Sequence, residues 1–295
     1  MKKSRTRFIS TAVSLLVLWS VCLVIPRPAG AQAVFTIKAT GGFAYLAGGD
    51  WTSGLKGQLD LMTAFGAAIG YAAQGEFKPV HSAWEAGGDI IFSMSPVLSV
   101  SAGIGYIESV ASQTDITLSH SGWDSVTLSQ TPRVTAIPIR AGLVFFIPLG
   151  GRTNLMVQAG GAYYLAKIRS VYRQAEGASW NQTEVEAKGE GFGFQGGLGL
   201  EVMLTSNISL VLEATGRYAR LKPFTGTETS SGSGGWTDSE EGTLYYFQGA
   251  LFPLGTYPLL TISNTAPSGS GISDVREAEV DLSGVTAQAG FLIKF

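Results

Sequence analysis

Eight stretches of this chain alternate apolar and polar residues with period two, the signature of a strand whose two faces meet different surroundings. In the first, Phe35, Ile37, Ala39, Gly41, Phe43 and Tyr45 share one face, while Thr36, Lys38, Thr40 and Gly42 share the other. The same pattern recurs over residues 84–94, 98–106, 137–147, 155–165, 192–202, 208–218 and 285–295. Each stretch has about the length of a tilted strand that crosses a bilayer, roughly 9–11 residues. Alternation alone fits a soluble sandwich as well, so the connections decide. Those near 95–96, 149–154 and 205–207 are short, whereas 47–83, 111–132, 173–189 and 222–283 are long. Strict alternation of tight turns and long loops is the habit of outer-membrane barrels. The expected fold is therefore all-β, a transmembrane antiparallel up-and-down β-barrel of eight strands.

Within the first long link, Leu55, Leu59, Met62, Gly66, Ile69 and Ala73 recur at helical spacing. This predicts a short helix over 57–72, inside the first external loop. Ten strands are the alternative, if 57–72 pairs as a strand and either 243–252 or 256–263 adds another.

The N-terminus sets Lys2, Lys3, Arg5 and Arg7 before an apolar run over 8–25 and small residues at Ala29 and Ala31. That is the layout of a cleaved secretory signal, here 1–31, leaving a barrel domain over 32–295. Without the leader, 15 basic residues face 22 acidic ones, a net charge of −7 that disfavours nucleic acid as a partner. The single cysteine, Cys22, lies in the leader, so the mature chain has no disulfide and no thiolate metal site.

At the other end, Phe291, Ile293 and Phe295 place apolar side chains at alternate positions up to a terminal phenylalanine. This resembles the signal read by the outer-membrane assembly machinery. In strand number, loop asymmetry and terminus the mature chain resembles the small OmpA/OmpX-like outer-membrane barrels, departing from OmpA in having no periplasmic domain after Phe295. The resemblance implies residence in the outer membrane of a Gram-negative-type envelope, among its lipids and lipopolysaccharide.

If the apolar faces meet lipid, the inward charges are Lys38, Glu85, Asp89, Arg140, Glu201, Glu213, Arg217 and Lys294, four of each sign. A barrel of about eight strands has an interior that side chains just fill. Balanced charge there suits a salt-bridge network that plugs the lumen; an ion pathway is the competing reading.

Candidate chemistry is sparse. His120 and Ser121 with Asp115 or Asp124 could be drawn as a hydrolytic centre, but no G-x-S-x-G elbow occurs, and His81 stands apart. Glu228, Asp238, Glu240, Glu241, Asp274, Glu277, Glu279 and Asp281 crowd the last loop against Arg276, without EF-hand spacing, and read as a solvated acidic face. Asn181 and Asn207 head glycosylation-type triplets that are taken as chance. Leu244, Tyr245, Tyr246 and Phe247 form an apolar segment expected to extend the barrel, fold over its mouth or contact an extracellular partner. The expectation is a non-enzymatic surface barrel without cofactor or metal. A narrow conduit for small or hydrophobic solutes and an outer-membrane lipid-modifying enzyme are the alternatives.

Overall fold

The computed structural model describes residues 35–295; the expected leader, its cleavage point and Cys22 lie outside the described residues. In chain order the elements are β1 (Phe35–Gly48), α1 (Gly49–Ala68), β2 (Ala72–Gln74), β3 (Ser82–Ser93), β4 (Leu98–Ser109), β5 (Thr114–Ser119), β6 (Val126–Gly150), β7 (Thr153–Glu176), β8 (Ser179–Met203), β9 (Ile208–Tyr218), β10 (Arg220–Leu221), β11 (Phe224–Gly232), β12 (Thr237–Leu251), β13 (Gly255–Ser263), β14 (Ile272–Glu277) and β15 (Val280–Lys294). Eight of them, β1, β3, β4, β6, β7, β8, β9 and β15, close into a ring of antiparallel neighbours. Chain order equals ring order, so the barrel is up-and-down. Its strands are the eight alternating segments of the sequence. The ten-strand alternative fails, because 57–72 is largely helical while β12 and β13 pair with each other outside the ring.

On the outer wall Phe43, Trp84, Ile104, Phe192, Leu198 and Leu212 stand exposed. Such a belt is stable only against hydrocarbon, which fixes which face of each strand meets lipid. Thr36, Lys38, Glu85, Arg140, Glu213 and Gln288 are buried on the other face.

Three ring strands are much longer than a bilayer needs. β6, β7 and β8 have 25, 24 and 25 residues. In their lower parts the outward positions are apolar: Ile137 and Phe145, Val157 and Leu165, Phe192 and Leu200. Farther along, the rule inverts. Outward positions become Arg133 and Thr135, Lys167 and Arg169, Glu186 and Lys188, while Leu128, Val134, Ala166, Ile168 and Ala187 are buried on the inner face. The switch falls within one row: Ile137 pairs with Leu165, whose β8 partner is already Glu190, and in the next outward row Thr135 pairs with Lys167 and Lys167 with Lys188.

This inversion corrects the expected long loops. Residues 111–132, 173–189 and 222–283 are largely strand. β7 and β8 stay paired up to Glu176 and Ser179, β5 folds back on β6, and β11 to β14 continue the sheet beyond β8. The physical reason is that alternation persists past the membrane with its sense reversed: water replaces lipid outside, and an apolar core replaces the polar lumen.

Helix α1 starts earlier than the sequence pattern indicated. Gly48 and Gly49, at φ 87° and 65°, turn the chain directly out of β1 in a conformation that side chains disfavour. Trp51, Leu55 and Leu59, spaced by one turn, are buried. Gly54 and Gly57 let β13 approach, because a methyl group there would strike Leu260 and the Pro258 carbonyl. Trp51 and Leu55 share one buried cluster with Leu46, Tyr164, Leu221, Phe224, Leu244 and Ile262. Lumen-facing and external residues thus form a single apolar mass over the barrel mouth.

Candidate functional site

The lumen holds all eight of the inward charges expected from the sequence, seven of them buried and Lys294 half-buried. Lys38 Nζ lies 3.2 Å from Asp89 and 3.1 Å from Glu213. Arg140 reaches Asp89 at 3.2 Å and Glu85 at 3.5 Å, and Arg217 reaches Glu85 at 2.8 Å. Three cations and three carboxylates therefore cancel in one cluster. Buried charges survive in a low dielectric only when paired and hydrogen-bonded. Further hydrogen bonds support the cluster: Thr286 Oγ1 donates to Glu85 at 2.9 Å, Gln158 Nε2 to Glu213 at 3.4 Å, and Arg217 Nε to the Leu282 carbonyl at 2.9 Å, whereas Arg140 Nε and Arg217 Nη2 are buried without a partner among the described residues. Sequence reasoning missed Gln158 and Thr286 as members and Gln288 as a lining residue of the central cavity; their signal was a neutral polar residue at an inward position of an alternating strand.

Glycine makes the room. A methyl group on Gly103 would overlap Asp89 Oδ1, and one on Gly87 would overlap Arg140 Nη2.

Near the tight turns a second, separate pair joins Lys294 to Glu201 at 2.5 Å, with Ser209 and Asn154 donating to Glu201 at 2.6 and 2.8 Å. Between the two polar groups, Ile91, Val144, Met156, Val211 and Leu292 form a buried apolar layer. Along β9 the inward order is Ser209, Val211, Glu213, Thr215 and Arg217, so the layers stack along the barrel axis. The cavity inside the central cluster measures about 20 Å³, lined by Lys38, Glu85, Asp89, Arg140, Gln158 and Glu213 among others. That is room for little more than one water molecule.

The other candidates are not brought together into a catalytic centre. His81 bonds through Nδ1 to the Leu46 carbonyl at 2.8 Å and stacks on Tyr45. His120 packs between Tyr71 and Trp123, while Asp115 accepts two 3.0 Å bonds from Gln113, which hold its carboxyl below the usual range. The acidic residues of 222–283 are dispersed. Arg276 grips Asp50 at 2.8 Å and Asp274 at 2.5 Å, Arg220 faces Asp281 at 3.4 Å, and Glu228 accepts the Ile262 amide at 3.0 Å. Burial raises the Glu228 pKa despite that bond. Among the described residues no three His, Asp or Glu side chains are grouped to hold a metal ion.

Of the apolar segment on β12, Leu244 and Tyr246 are buried in the cap, and Tyr245 and Phe247 are half-buried on the other face. The segment extends the sheet and covers the mouth, and its buried members are not available to a partner. Phe291, Ile293 and Phe295 all point outward into the lipid belt.

A closed eight-stranded antiparallel ring, an apolar outer wall and a charge-paired interior define a transmembrane β-barrel of the bacterial outer-membrane class. No protein-family model and no curated protein matches this sequence. Among solved structures it is similar to a major outer membrane protein from Thermus thermophilus, at 15% identity and a TM-score of 0.44, over 90% of this chain and 100% of that one. The outer membrane protein OprG from Pseudomonas aeruginosa follows at 11% and 0.35, over 90% and 96%. The outer membrane protease OmpT from Escherichia coli stands at 6% and 0.26, over 92% and 99%. At these values the likeness carries no activity or ligand across.

Proposed function

We propose that this protein is a non-conducting, non-enzymatic surface barrel whose external sheet is its working part. The observation that carries the reading is the doubly closed lumen. A neutral ion-pair cluster fills its middle, and the apolar mass containing Trp51, Tyr164 and Leu244 covers its mouth. A conduit would need both to move. A hydrolytic role finds no support in His120, whose neighbours are aromatic rings.

What faces the exterior is a set of hairpins with exposed aromatic residues, Trp123 at 69% exposure on the β5–β6 turn and Trp236 at 48% on the β11–β12 turn, and Phe252 on the β12–β13 turn is fully exposed as well. Large exposed aromatics on ordered turns suit contact with an extracellular partner. On the same reading Phe291, Ile293 and Phe295 serve the assembly machinery during insertion.

Planar-bilayer recording tests the closed lumen. The purified barrel should give no steady conductance steps, and reproducible steps whose size changes in a Trp51→Ala or Lys38→Ala variant would replace this reading with the conduit. For the surface role, Trp123→Ala and Phe252→Ala should fold normally and weaken adhesion of expressing cells to their target surface, which unchanged adhesion would contradict.

A further inference from the structure

Across the outside of β6, β7, β8 and β11, at the level where outward polarity switches, runs a groove of about 680 Å³. Its membrane-side lip is made by Tyr106, Ile137 and Leu165, with Glu190 completing that row on β8. Its other lip carries Thr135, Lys167, Lys188 and Thr225, which form one continuous register row across the four strands. This is the depth at which lipid headgroups sit, because apolar outward residues end here and ionised ones begin.

The charges along the groove are unequally occupied. Lys167 is shared with Glu186 at 2.7 Å, and in the next row Arg169 is taken by Glu184 and Arg133 by Glu108. Lys188 is exposed and, among the described residues, has no carboxylate within ion-pair distance, although Glu190 lines the same groove. Arg133, Lys167, Arg169 and Lys188 gather on this side of the barrel, interleaved with Glu108, Glu184, Glu186 and Glu190. Beside β10 and β15 the corresponding level has Arg220 alone against Glu279 and Asp281.

We infer that this groove binds a phosphorylated lipid of the outer leaflet, its phosphate between Lys167 and Lys188 and an acyl chain along Ile137 and Leu165. Lysines at a membrane surface attract anionic headgroups while their stems lie on apolar surface. The exposed Thr225 hydroxyl supplies a donor beside them, while that of Thr135 donates to the Lys167 carbonyl at 3.4 Å. The lipid is a lateral ligand of the wall and touches neither the lumen nor the tips.

The test uses the full barrel in detergent with bisphosphorylated lipid A as the probe, read by native mass spectrometry at low ionic strength. Wild type should retain one lipid, and the Lys167→Gln/Lys188→Gln double variant should bind it about thirtyfold more weakly, the order expected for two surface lysines. Lys56→Gln, on the exposed face of α1, should bind as wild type does. Dephosphorylated lipid A should bind wild type as weakly as the double variant binds the phosphorylated form, and millimolar inorganic phosphate should leave the complex intact. Equal binding of the dephosphorylated lipid to wild type overturns the proposal without recourse to any variant. Undiminished binding by the double variant overturns it too, as does complete displacement by inorganic phosphate.

Discussion

Arg217 Nη1 lies 2.8 Å from Glu85 Oε2, and the pair spans the lumen between β9 and β3, strands separated in the ring by β15 and β1. It acts as a strut between non-adjacent staves, with both side chains buried. Removing one end strands the other charge in a low dielectric. Glu85→Ala, which also deprives Arg140, should destabilise the folded barrel by about 3–5 kcal/mol. Urea unfolding in lipid vesicles, followed by tryptophan fluorescence, measures the loss. The double variant Glu85→Ala/Arg217→Ala should lose less than the sum of the two single changes.

Packing around the network gives an independent check. Gly103 faces Asp89 Oδ1 with no space for a methyl group. Gly103→Ala should therefore cost about 1–3 kcal/mol by overpacking, although alanine is the better residue for chain entropy. An unchanged unfolding midpoint would show that the interior yields more readily than this geometry implies.

Asp50, in the first turn of α1, is held by Arg276 and also accepts the Glu279 amide at 3.1 Å. The Arg276 guanidinium lies 4.0 Å over the Tyr246 ring as well. Arg276→Ala should leave the barrel resistant to unfolding but speed hydrogen exchange in 49–68, because the tether joins the helix to the external sheet and to nothing in the lipid-embedded wall.

A pH effect is expected at Glu228. Burial raises its pKa above the 4.5 of the free side chain. A group that binds its proton more tightly when folded contributes stability fully below the unfolded value, and that contribution fades as pH rises through the folded one. Protection of the Ile262 amide, corrected for intrinsic exchange, should thus increase on going from pH 7 to pH 4. Glu228→Gln should abolish the difference while keeping the bond.

Much of the barrel was legible because one physical rule, an apolar outward face, governs the lipid-embedded part of all eight ring strands, with the charges confined to the inward face there. Lys38, Glu85 and Arg217 could be assigned to the lumen from parity alone. Their partners could not, since which charges meet depends on how a tilted sheet closes. The external half was misread for a related reason: Ile168, Ser170 and Tyr172 still alternate with Lys167, Arg169 and Arg173, yet the apolar side now faces inward. A search for one polarity stops at the change of surroundings. The helix was recognised from Leu55 and Leu59, but its start was hidden, because Gly48 and Gly49 look like a loop until their left-handed backbone is known.

The level at which β6, β7 and β8 exchange greasy for ionised outward residues works as a waterline. Sinking by one outward position would drag Lys167 and Lys188 toward hydrocarbon, while rising by one would bare Ile137 and Leu165 to solvent, and either displacement is opposed. The protein therefore floats at a fixed draught. Its β7–β8 hairpin stands at a height above the lipid set by strand length, and whatever reaches Trp123, on the turn beside it, must come to that height.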